Sequence, residues 1–281
     1  MHNELNGFNA EGTVYTEKIN QVFIVNCRFT GNIGSIGAGL SASFANINWH
    51  GSNSFLVIFF SRFTKNAAGS RAGAVAIKLV GKTLICYSRF LQNQGSSGGA
   101  LHIKDAKTVV LNENYFSSGP TQGTGGSVYL YNAEKLSIVS STFVIRSNFK
   151  VGGILYLEFG QECQIINVLV NNTLDKPSDF AQNLLQIFSD KISFTNLSFY
   201  NLLNGIPFLD LYFNSILLQE VKVQCDLYAL VKEINDETQH SCYRYENCSN
   251  TRLLYACLLC DNSYYTLYPG PWYISIPQTL S

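Results

Sequence analysis

Four cysteines near the end of the chain have the types and spacing that most directly suggest chemistry: Cys242, Cys248, Cys257 and Cys260. Thiolates spaced as in Cys257-x-x-Cys260, with His240 nearby, could hold a tetrahedral zinc ion. A zinc site usually has two closely spaced pairs, and Cys242 and Cys248 are too far apart to form a good second pair. In an extracellular protein the same residues would form disulfides, with three possible pairings. The spacing favours disulfides, so no metal site is predicted.

Three Asn-x-Ser/Thr sequons mark candidate glycosylation sites at Asn171, Asn196 and Asn247. Such an asparagine receives its oligosaccharide in secreted proteins and lies at the surface. Asn-rich sequence also produces the motif by chance. The sequons therefore add modest support for an extracellular or cell-surface location.

The overall composition excludes several classes of partner. Charged residues make up 14% of the 281 residues and formally cancel, so no global field attracts nucleic acid or an anionic membrane surface. No apolar run reaches the roughly 18 to 20 residues that a spanning helix requires, and the first residues carry no basic-then-apolar leader. Since the first coil described below begins almost at Met1, we expect the sequence to be part of a longer chain, and the full-length protein could be membrane-anchored.

An internal repeat must position all of these residues. It is clearest in GGALHIKDAKTVVLNENYF from Gly98 and GGSVYLYNAEKLSIVSSTF from Gly125. A first set of apolar residues recurs at steps of 34, 27, 26, 27, 27, 29 and 24 residues: Ile24, Ile58, Ile85, Leu111, Ile138, Ile165, Phe194 and Leu218. Anchor residues follow five places later: Phe29, Phe63, Phe90, Phe116, Phe143, Val170, Phe199 and Val223. A third set precedes the first by ten residues: Val14, Val75, Leu101, Val128 and Leu155.

The period selects the fold. About 27 residues of short alternating segments are too few for a propeller blade, show no helical periodicity, and lack the fixed leucines of a leucine-rich repeat. The pattern predicts an all-β chain, a single-stranded parallel β-helix of about eight coils over residues 1–224. A small Cys-containing tail over 225–281 caps it. The usual rule for parallel crossovers makes the helix right-handed. Like residues then stack on like residues about 4.8 Å apart along the axis.

Glycine and asparagine are predicted at the corners of the coils. The pairs Gly98-Gly99, Gly125-Gly126 and Gly152-Gly153 precede a strand, where a positive φ or a close backbone approach favours glycine. Asn32, Asn66 and Asn93 follow the Phe anchors. We expect these asparagines to adopt the left-handed conformation and to stack into a hydrogen-bonded ladder.

The repeat resembles known families. Gly98-Gly99-Ala100-Leu101 alternating with Phe-x-x-Asn, as at 63–66 and 90–93, is similar to the repeat of chlamydial polymorphic membrane proteins and of pectin-lyase-like β-helices in protist surface proteins. The resemblance covers about 12–224 and fades after Phe143. The run CLLCDNSYY from Cys257 resembles the start of the growth-factor-receptor-like cysteine-rich repeats of ciliate surface proteins. These resemblances imply a surface protein and no particular activity.

Two outward columns are candidate ligand sites. One contains Tyr15, Ser41, Ala76, His102, Tyr129, Tyr156, Gln186 and Asp210. Within it the stacked Tyr129 and Tyr156, beside His102, could dock a sugar ring, although stacked aromatics are more often mutual cross-strand contacts. The other column contains Arg28, Arg62 and Arg89, whose mutual repulsion a bound anion would relieve. The alternative for these arginines is three solvated side chains that point apart.

The expected function is non-enzymatic: a rigid extracellular or cell-surface segment with a structural or adhesive role and with glycans or other surface proteins as partners. The alternative is a polysaccharide lyase or hydrolase, which would need clustered carboxylates or calcium ligands. Its Asp-Asp, Gly-His-Gly and Gly-Gly-x-Gly-x-Asp signatures are absent, so no catalytic residue or cofactor is predicted. Cys27, Cys86 and Cys163 are expected to be free thiols, because Cys27 and Cys86 lie about 10 Å apart, beyond the roughly 7 Å limit for a disulfide.

Overall fold

The computed structural model of the chain is a stack of parallel β-strands that coil around one apolar core. It describes residues 3–5, 12–44, 53–119, 123–146, 152–173, 184–202, 207–219, 221–225, 229–234, 252–258 and 263–267. Within these ranges every regular element is a strand. The predicted all-β class and parallel β-helix are confirmed. No helix in the described part is long and apolar enough to cross a bilayer.

The strands of the first half are short at the start of the chain and lengthen as the repeat becomes regular. They are β1 (Asn3–Leu5), β2 (Val14–Ile19), β3 (Gln21–Val25), β4 (Cys27–Thr30), β5 (Ile33–Gly34), β6 (Leu40–Phe44), β7 (Phe55–Phe59), β8 (Arg62–Thr64), β9 (Ala67–Ala68), β10 (Val75–Cys86), β11 (Arg89–Asn93), β12 (Leu101–Asn112) and β13 (Tyr115–Ser118). From β10 onward the two strands before the Phe anchor merge into one bent strand.

The second half begins with the same long strands and ends in short ones. They are β14 (Val128–Val139), β15 (Thr142–Ile145), β16 (Leu155–Asn172), β17 (Leu185–Leu202), β18 (Pro207–Phe213), β19 (Ser215–Gln219), β20 (Val221–Cys225), β21 (Ala229–Ile234), β22 (Arg252–Leu258) and β23 (Ser263–Leu267). Strands β18 and β20 pair in parallel with β17 on one side. On the other side they pair antiparallel with β22 and β23.

The predicted columns are confirmed residue by residue. Ile24 is aligned with Ile58, Ile58 with Ile85, Ile85 with Leu111 and so on to Leu218. The first five anchors form a continuous stack of phenyl rings, with centroids 4.6 to 5.1 Å apart and planes within 8° of parallel. All five rings are buried. At roughly 1.5 to 3 kcal/mol for each fully buried large apolar side chain, these columns dominate the stability of the coil.

A buried asparagine ladder accompanies the phenyl stack. The Asn32 amide donates to Asn66 Oδ1 over 2.7 Å, and the Asn66 amide donates to Asn93 Oδ1 over 2.9 Å. The ladder is therefore confirmed, but the left-handed conformation predicted for these asparagines is wrong. The positive φ belongs to the residue before each one, Gly31 (φ 65°), Lys65 (φ 52°) and Gln92 (φ 52°). The bend therefore precedes the asparagine, which turns inward and satisfies buried backbone groups.

The number of complete turns is lower than predicted. About six parallel turns stack on one another, compared with the eight expected, although the column that begins at Ile24 has eight members. The difference arises at the C-terminal end, where the last strands are sandwiched between β17 and the antiparallel β22 and β23. Strands β21 and β22 also pair antiparallel with each other. The stack therefore changes its pairing pattern at its last coil.

Candidate functional site

The first candidate site is the column that contains His102, Tyr129 and Tyr156. The register aligns Ala76 with His102, His102 with Tyr129 and Tyr129 with Tyr156, and it continues through Gln186 to Asp210. The His102 and Tyr129 rings stack with centroids 4.8 Å apart, and the Tyr129 and Tyr156 rings stack with centroids 5.2 Å apart and planes 1° from parallel. The structure therefore brings all three predicted residues together.

Glycine corners cover much of this column. Gly125 and Gly152 have φ of +66° and +61°, and an added Cβ would lie 2.9 Å from Tyr129 Cβ and 3.1 Å from Tyr156 Cβ. The predicted requirement for glycine is thus met by both conformation and close approach. Because the corner backbone presses on the column, His102 retains 8% exposure and Tyr156 6%. Tyr129 is half-buried, so it offers the largest accessible ring surface of the three to a ligand.

His102 is a neutral buried imidazole. Its Nδ1 lies 2.9 Å from Ser97 Oγ. Burial, reinforced by the charges of Arg71 and Lys104 and opposed by the hydrogen bond at Ser97, lowers the pKa of His102 to about 4. The ring is therefore uncharged at neutral pH and contributes stacking area and one hydrogen bond.

At the other end of the column, Asp210 is a buried carboxyl group. Gln186 Nε2 donates to Asp210 Oδ2 over 2.8 Å. Burial raises the pKa of Asp210 to about 6, while hydrogen bonds from Gln186 and Tyr212 act in the opposite direction. A carboxyl group with a raised pKa is a candidate general acid. Sequence analysis placed Asp210 in the column but gave it no role, because burial cannot be read from one residue type.

The second candidate site is the arginine column. Arg28 is aligned with Arg62 and Arg62 with Arg89, so three guanidinium groups stand on successive strands. All three side chains are exposed, and Arg62 Nε donates to Thr64 Oγ1 over 3.1 Å. Among the side chains that the structure describes, no ion pair involves any of the three. Glu4 is aligned with Arg28 on the neighbouring strand β1. The predicted alignment is present, and an anion at this surface would meet three donor forks.

Several predicted residues have other surroundings or lie outside the description. Cys242, Cys248, Cys260 and Asn247 are outside the described residues, and Cys257 lies on β22 with no described side chain. Cys27, Cys86 and Cys163 are free thiols, as predicted. Burial raises the pKa of the thiols of Cys86 and Cys163, which keeps them protonated and unreactive.

Two of the sequons fall on described strands. Asn171 is half-buried on β16. Asn196 is half-buried on β17, with φ of 51°, and its amide donates to Asn167 Oδ1 over 3.1 Å. That hydrogen bond lies at the exposed surface of the coil. Glycosylation at either asparagine remains a prediction.

The sequence analysis missed a surface that only the stack assembles. Phe23, Val25, Phe60 and Tyr87 are large apolar residues with exposed fractions from 42% to 60%. Phe60 and Tyr87 stack with ring centroids 5.0 Å apart. Phe60 and Tyr87 each lie two residues before an arginine of the arginine column, at the corner of their coil. Comparing the residue at this corner in successive repeats would have revealed the two aromatic side chains.

Comparison with known proteins assigns no family: no family model, no curated protein and no solved structure matches the chain. The described residues hold no group of three or more His, Cys, Asp or Glu side chains suited to a metal ion. The geometry of the coil and its surface columns is therefore the basis for inferring a function.

Proposed function

We propose that the chain is a rigid, non-enzymatic solenoid segment of a larger extracellular or cell-surface protein, with a structural or adhesive role. The observation that supports this most directly is the unbroken register of the interior columns from Ile24 to Leu218. A core that continues without a hinge holds the two ends of the segment at a fixed separation. Glycans and other surface proteins are its proposed partners, and disulfides and N-linked glycans its proposed modifications.

Rigidity can be tested by small-angle X-ray scattering of the purified 281-residue chain. Deleting residues 101–154 joins Ala100 to Leu155, keeps every column in register, and removes two coils. We expect an elongated particle that shortens by about 10 Å, two coil spacings. A deletion of the same length displaced by ten residues, 111–164, joins Val110 to Ile165 and serves as a second register-preserving control. A flexible or globular scattering profile would contradict the proposal.

Location can be tested separately in the source cells. Labelling of intact cells with a membrane-impermeant amine reagent should modify the protein, and an N-glycosidase should lower its mass. Substituting Asn196 by Gln should remove part of that mass shift. Protein that is protected from the reagent until the cells are permeabilised would contradict a surface location.

A carbohydrate-active enzyme is the second proposal, and Asp210 favours it. Its raised pKa suits a general acid, and Tyr156, two coils away, donates from its hydroxyl to Glu158 Oε2 over 3.0 Å. Glu158 and Asp210 are two coils and two residues apart in the register, roughly 12 Å. This is beyond the roughly 6.5 to 9.5 Å between the carboxyl groups of inverting glycosidases, so Asp210 alone supports this alternative. Release of reducing ends from acidic or neutral polysaccharides, abolished by Asp210→Asn, would support it. No release from either class of polysaccharide would reject it.

A further inference from the structure

The first coils carry an apolar surface that the core does not require. We define the apolar patch as Phe23, Val25, Phe55, Val57, Phe59, Phe60, Leu84 and Tyr87. Six of these residues lie on the outer face of the strands whose inner face forms the column that begins at Ile24, and Phe60 and Tyr87 lie at the corner that follows those strands. Phe23 and Phe60 are each 60% exposed and Val25 is 52% exposed. Contiguous exposed apolar surface of this kind usually marks an interaction site.

The later coils show that part of this surface is specific to the start of the stack. The column of Val25 and Phe59 is apolar again at Val139 and Ile166, whereas the column of Phe23 becomes polar before it ends at Leu217. The column of Phe23, Val57 and Leu84 continues through Val110 to polar residues at Ser137, Gln164 and Ser193. The inner neighbours of these residues stay buried and apolar throughout. Since the same coil is built with polar residues outside, folding does not explain the aromatic residues of the patch.

The backbone at the corner argues for the same conclusion. Phe60 and Tyr87 have φ of 49° and 52°, the left-handed region, in which a bulky side chain is unfavourable. Asn26, Asn167 and Asn196, at the same corner of other coils, adopt this conformation at lower cost. Glu113 and Ser140 occupy the same corner with φ of 51° and 48°. The corner therefore accepts several residue types, and Phe60 and Tyr87 are the members that place stacked aromatic rings there.

Cations border the apolar patch on two sides. The arginine column lies two residues beyond the corner, so only the buried Ser61 and Ser88 separate Phe60 and Tyr87 from Arg62 and Arg89. On the opposite side, Lys82 is exposed and aligned with Phe55. Two acidic residues lie near this border: Glu113 forms a hydrogen bond with Tyr87 that raises the pKa of the tyrosine, and Glu4 is aligned with Arg28. The positive charges are therefore concentrated locally beside the apolar patch, although the formal net charge of the whole chain is zero.

We propose that the apolar patch and the arginine column together dock on the surface of a phospholipid bilayer. The rings would enter the interfacial region, and the guanidinium forks would bind headgroup phosphates in bidentate fashion. Of the strands under the patch, β7 and β10 are paired with the coils on both sides, so a peptide cannot add a strand to them. Among the described strands, β3 is paired with β7 alone. This inference deepens the proposed function, on which it relies for the protein's surface location, by naming the membrane as the partner of one face.

Vesicle co-sedimentation of the intact chain tests the proposal. Phosphatidylcholine vesicles with and without phosphatidylserine are the probes. We expect binding to both, stronger with phosphatidylserine and weakened by salt. Phe23→Ser/Phe60→Ser should lower the partition coefficient on the order of 100-fold, because two phenyl rings no longer enter the interface. Arg28→Gln/Arg62→Gln/Arg89→Gln should lower it roughly fivefold per arginine on phosphatidylserine vesicles.

The chain supplies a matched control in Leu169→Ser/Leu217→Ser. Leu169 continues the arginine column and Leu217 the Phe23 column, both are exposed, and both lie in the later coils. This variant should bind vesicles like the unaltered chain, and circular dichroism should show all variants folded. Absence of vesicle binding by the folded chain overturns the proposal, as does equal loss in the control variant. A dimer in analytical ultracentrifugation that Phe23→Ser/Phe60→Ser dissociates also overturns it, by assigning the face to a second copy. These results leave the scattering test of rigidity unaffected, so the two proposals can fail independently.

Discussion

The first four coils, through the one that contains Phe116, and the later coils share one interior and differ in their exteriors. Inside, aligned aliphatic and aromatic residues are buried in both halves. Outside, the early coils carry the apolar patch and the arginine column, whereas the later coils carry Ser137, Gln164 and Ser193 and both described sequons. The interior is therefore fixed by the requirement to stack, and the exterior is where the sequence is free to differ.

The halves also differ in how the anchor column is satisfied. From Phe29 to Phe143 the anchors are stacked rings, accompanied by the ladder of Asn32, Asn66 and Asn93. At Val170 the ring stack is interrupted, and no residue in the later coils extends the asparagine ladder within the described hydrogen bonds. Buried asparagine hydrogen bonds thus reinforce the early half, whereas those between later coils, such as Asn196 to Asn167 and Gln186 to Asp210, lie at other positions of the coil.

The largest effect is expected for Ile138→Asp, which places a charge inside the column at the boundary of the two halves. An unpaired buried carboxylate should cost on the order of 5 kcal/mol and unfold the neighbouring coils. Ser137→Asp, one residue away on the outer face, should cost less than about 0.5 kcal/mol. Urea unfolding followed by circular dichroism measures both. Equal midpoints for the two variants would refute the assignment of inner and outer faces.

A pH dependence of opposite sign is expected from the two ends of the polar column. Burial lowers the pKa of His102 to about 4 in the folded chain, below its ordinary value of about 6.5. Between these two pH values the unfolded chain binds more protons at His102, so the free energy of unfolding increases as pH rises from about 4 to 6.5. Asp210 has its pKa raised to about 6, so the folded chain keeps its proton and stability falls as pH rises from about 4 to 6. Each contribution amounts to about 3 kcal/mol at most.

Single variants separate these two contributions. His102→Phe keeps a ring stacked on Tyr129 and removes the imidazole, so its unfolding free energy should fall with rising pH in this range. Asp210→Asn should show the opposite slope. Urea midpoints measured at several pH values between 4 and 7 provide the test. If the unfolding free energies of the two variants changed with pH in the same direction, the burial of His102 or of Asp210 would be contradicted.

A smaller effect is expected for Asn66→Ala in the ladder. The variant removes Asn66 Oδ1, which accepts from both the side-chain amide and the backbone N–H of Asn32, and it removes one of the two donors to Asn93 Oδ1. The loss should cost about 1 to 3 kcal/mol. The control is Ser193→Ala, on the outer face of the later half, which should change stability by less than about 0.5 kcal/mol. Urea unfolding measures both variants. A cost for Asn66→Ala no larger than that of the control would show that water replaces the ladder.

The smallest effect is expected when the exterior of one half is transplanted onto the other. Ser137→Val/Gln164→Val/Ser193→Val extends the apolar column of Phe23 into the later coils without touching the core. Because these positions face outward, unfolding free energy should change by less than about 1 kcal/mol. A thermal melt of the triple variant beside the unaltered chain measures it. A loss of several kcal/mol would show that the exterior residues of the later half are needed for folding.

Sequence reasoning could predict the interior of this fold because stacking makes the same demand at every coil. Phe63 above Phe90, Ile85 above Leu111 and the glycine at Gly125 all follow from one repeated pattern. It predicted the Asn66 ladder correctly and its left-handed bend wrongly, since the bend falls on Lys65, a residue type with no preference for that conformation. Charge and aromatic content summed along the chain could not reveal the apolar patch, because its residues come from three coils, 34 and 27 residues apart, that meet only after coiling.

The direction of the hydrogen bonds between strands has a mechanical consequence. Successive parallel strands are hydrogen-bonded to each other along the long axis. The strand that contains Ile85 is hydrogen-bonded to the strand of Ile58 in the coil before it and to the strand of Leu111 in the coil after it. A force that pulls the two ends apart along the axis therefore loads the coils in series and can peel them one at a time. Each peeled coil of about 27 residues would lengthen the molecule by roughly 90 Å of extended chain. A segment built in this way would yield to tension in steps and absorb work at each one.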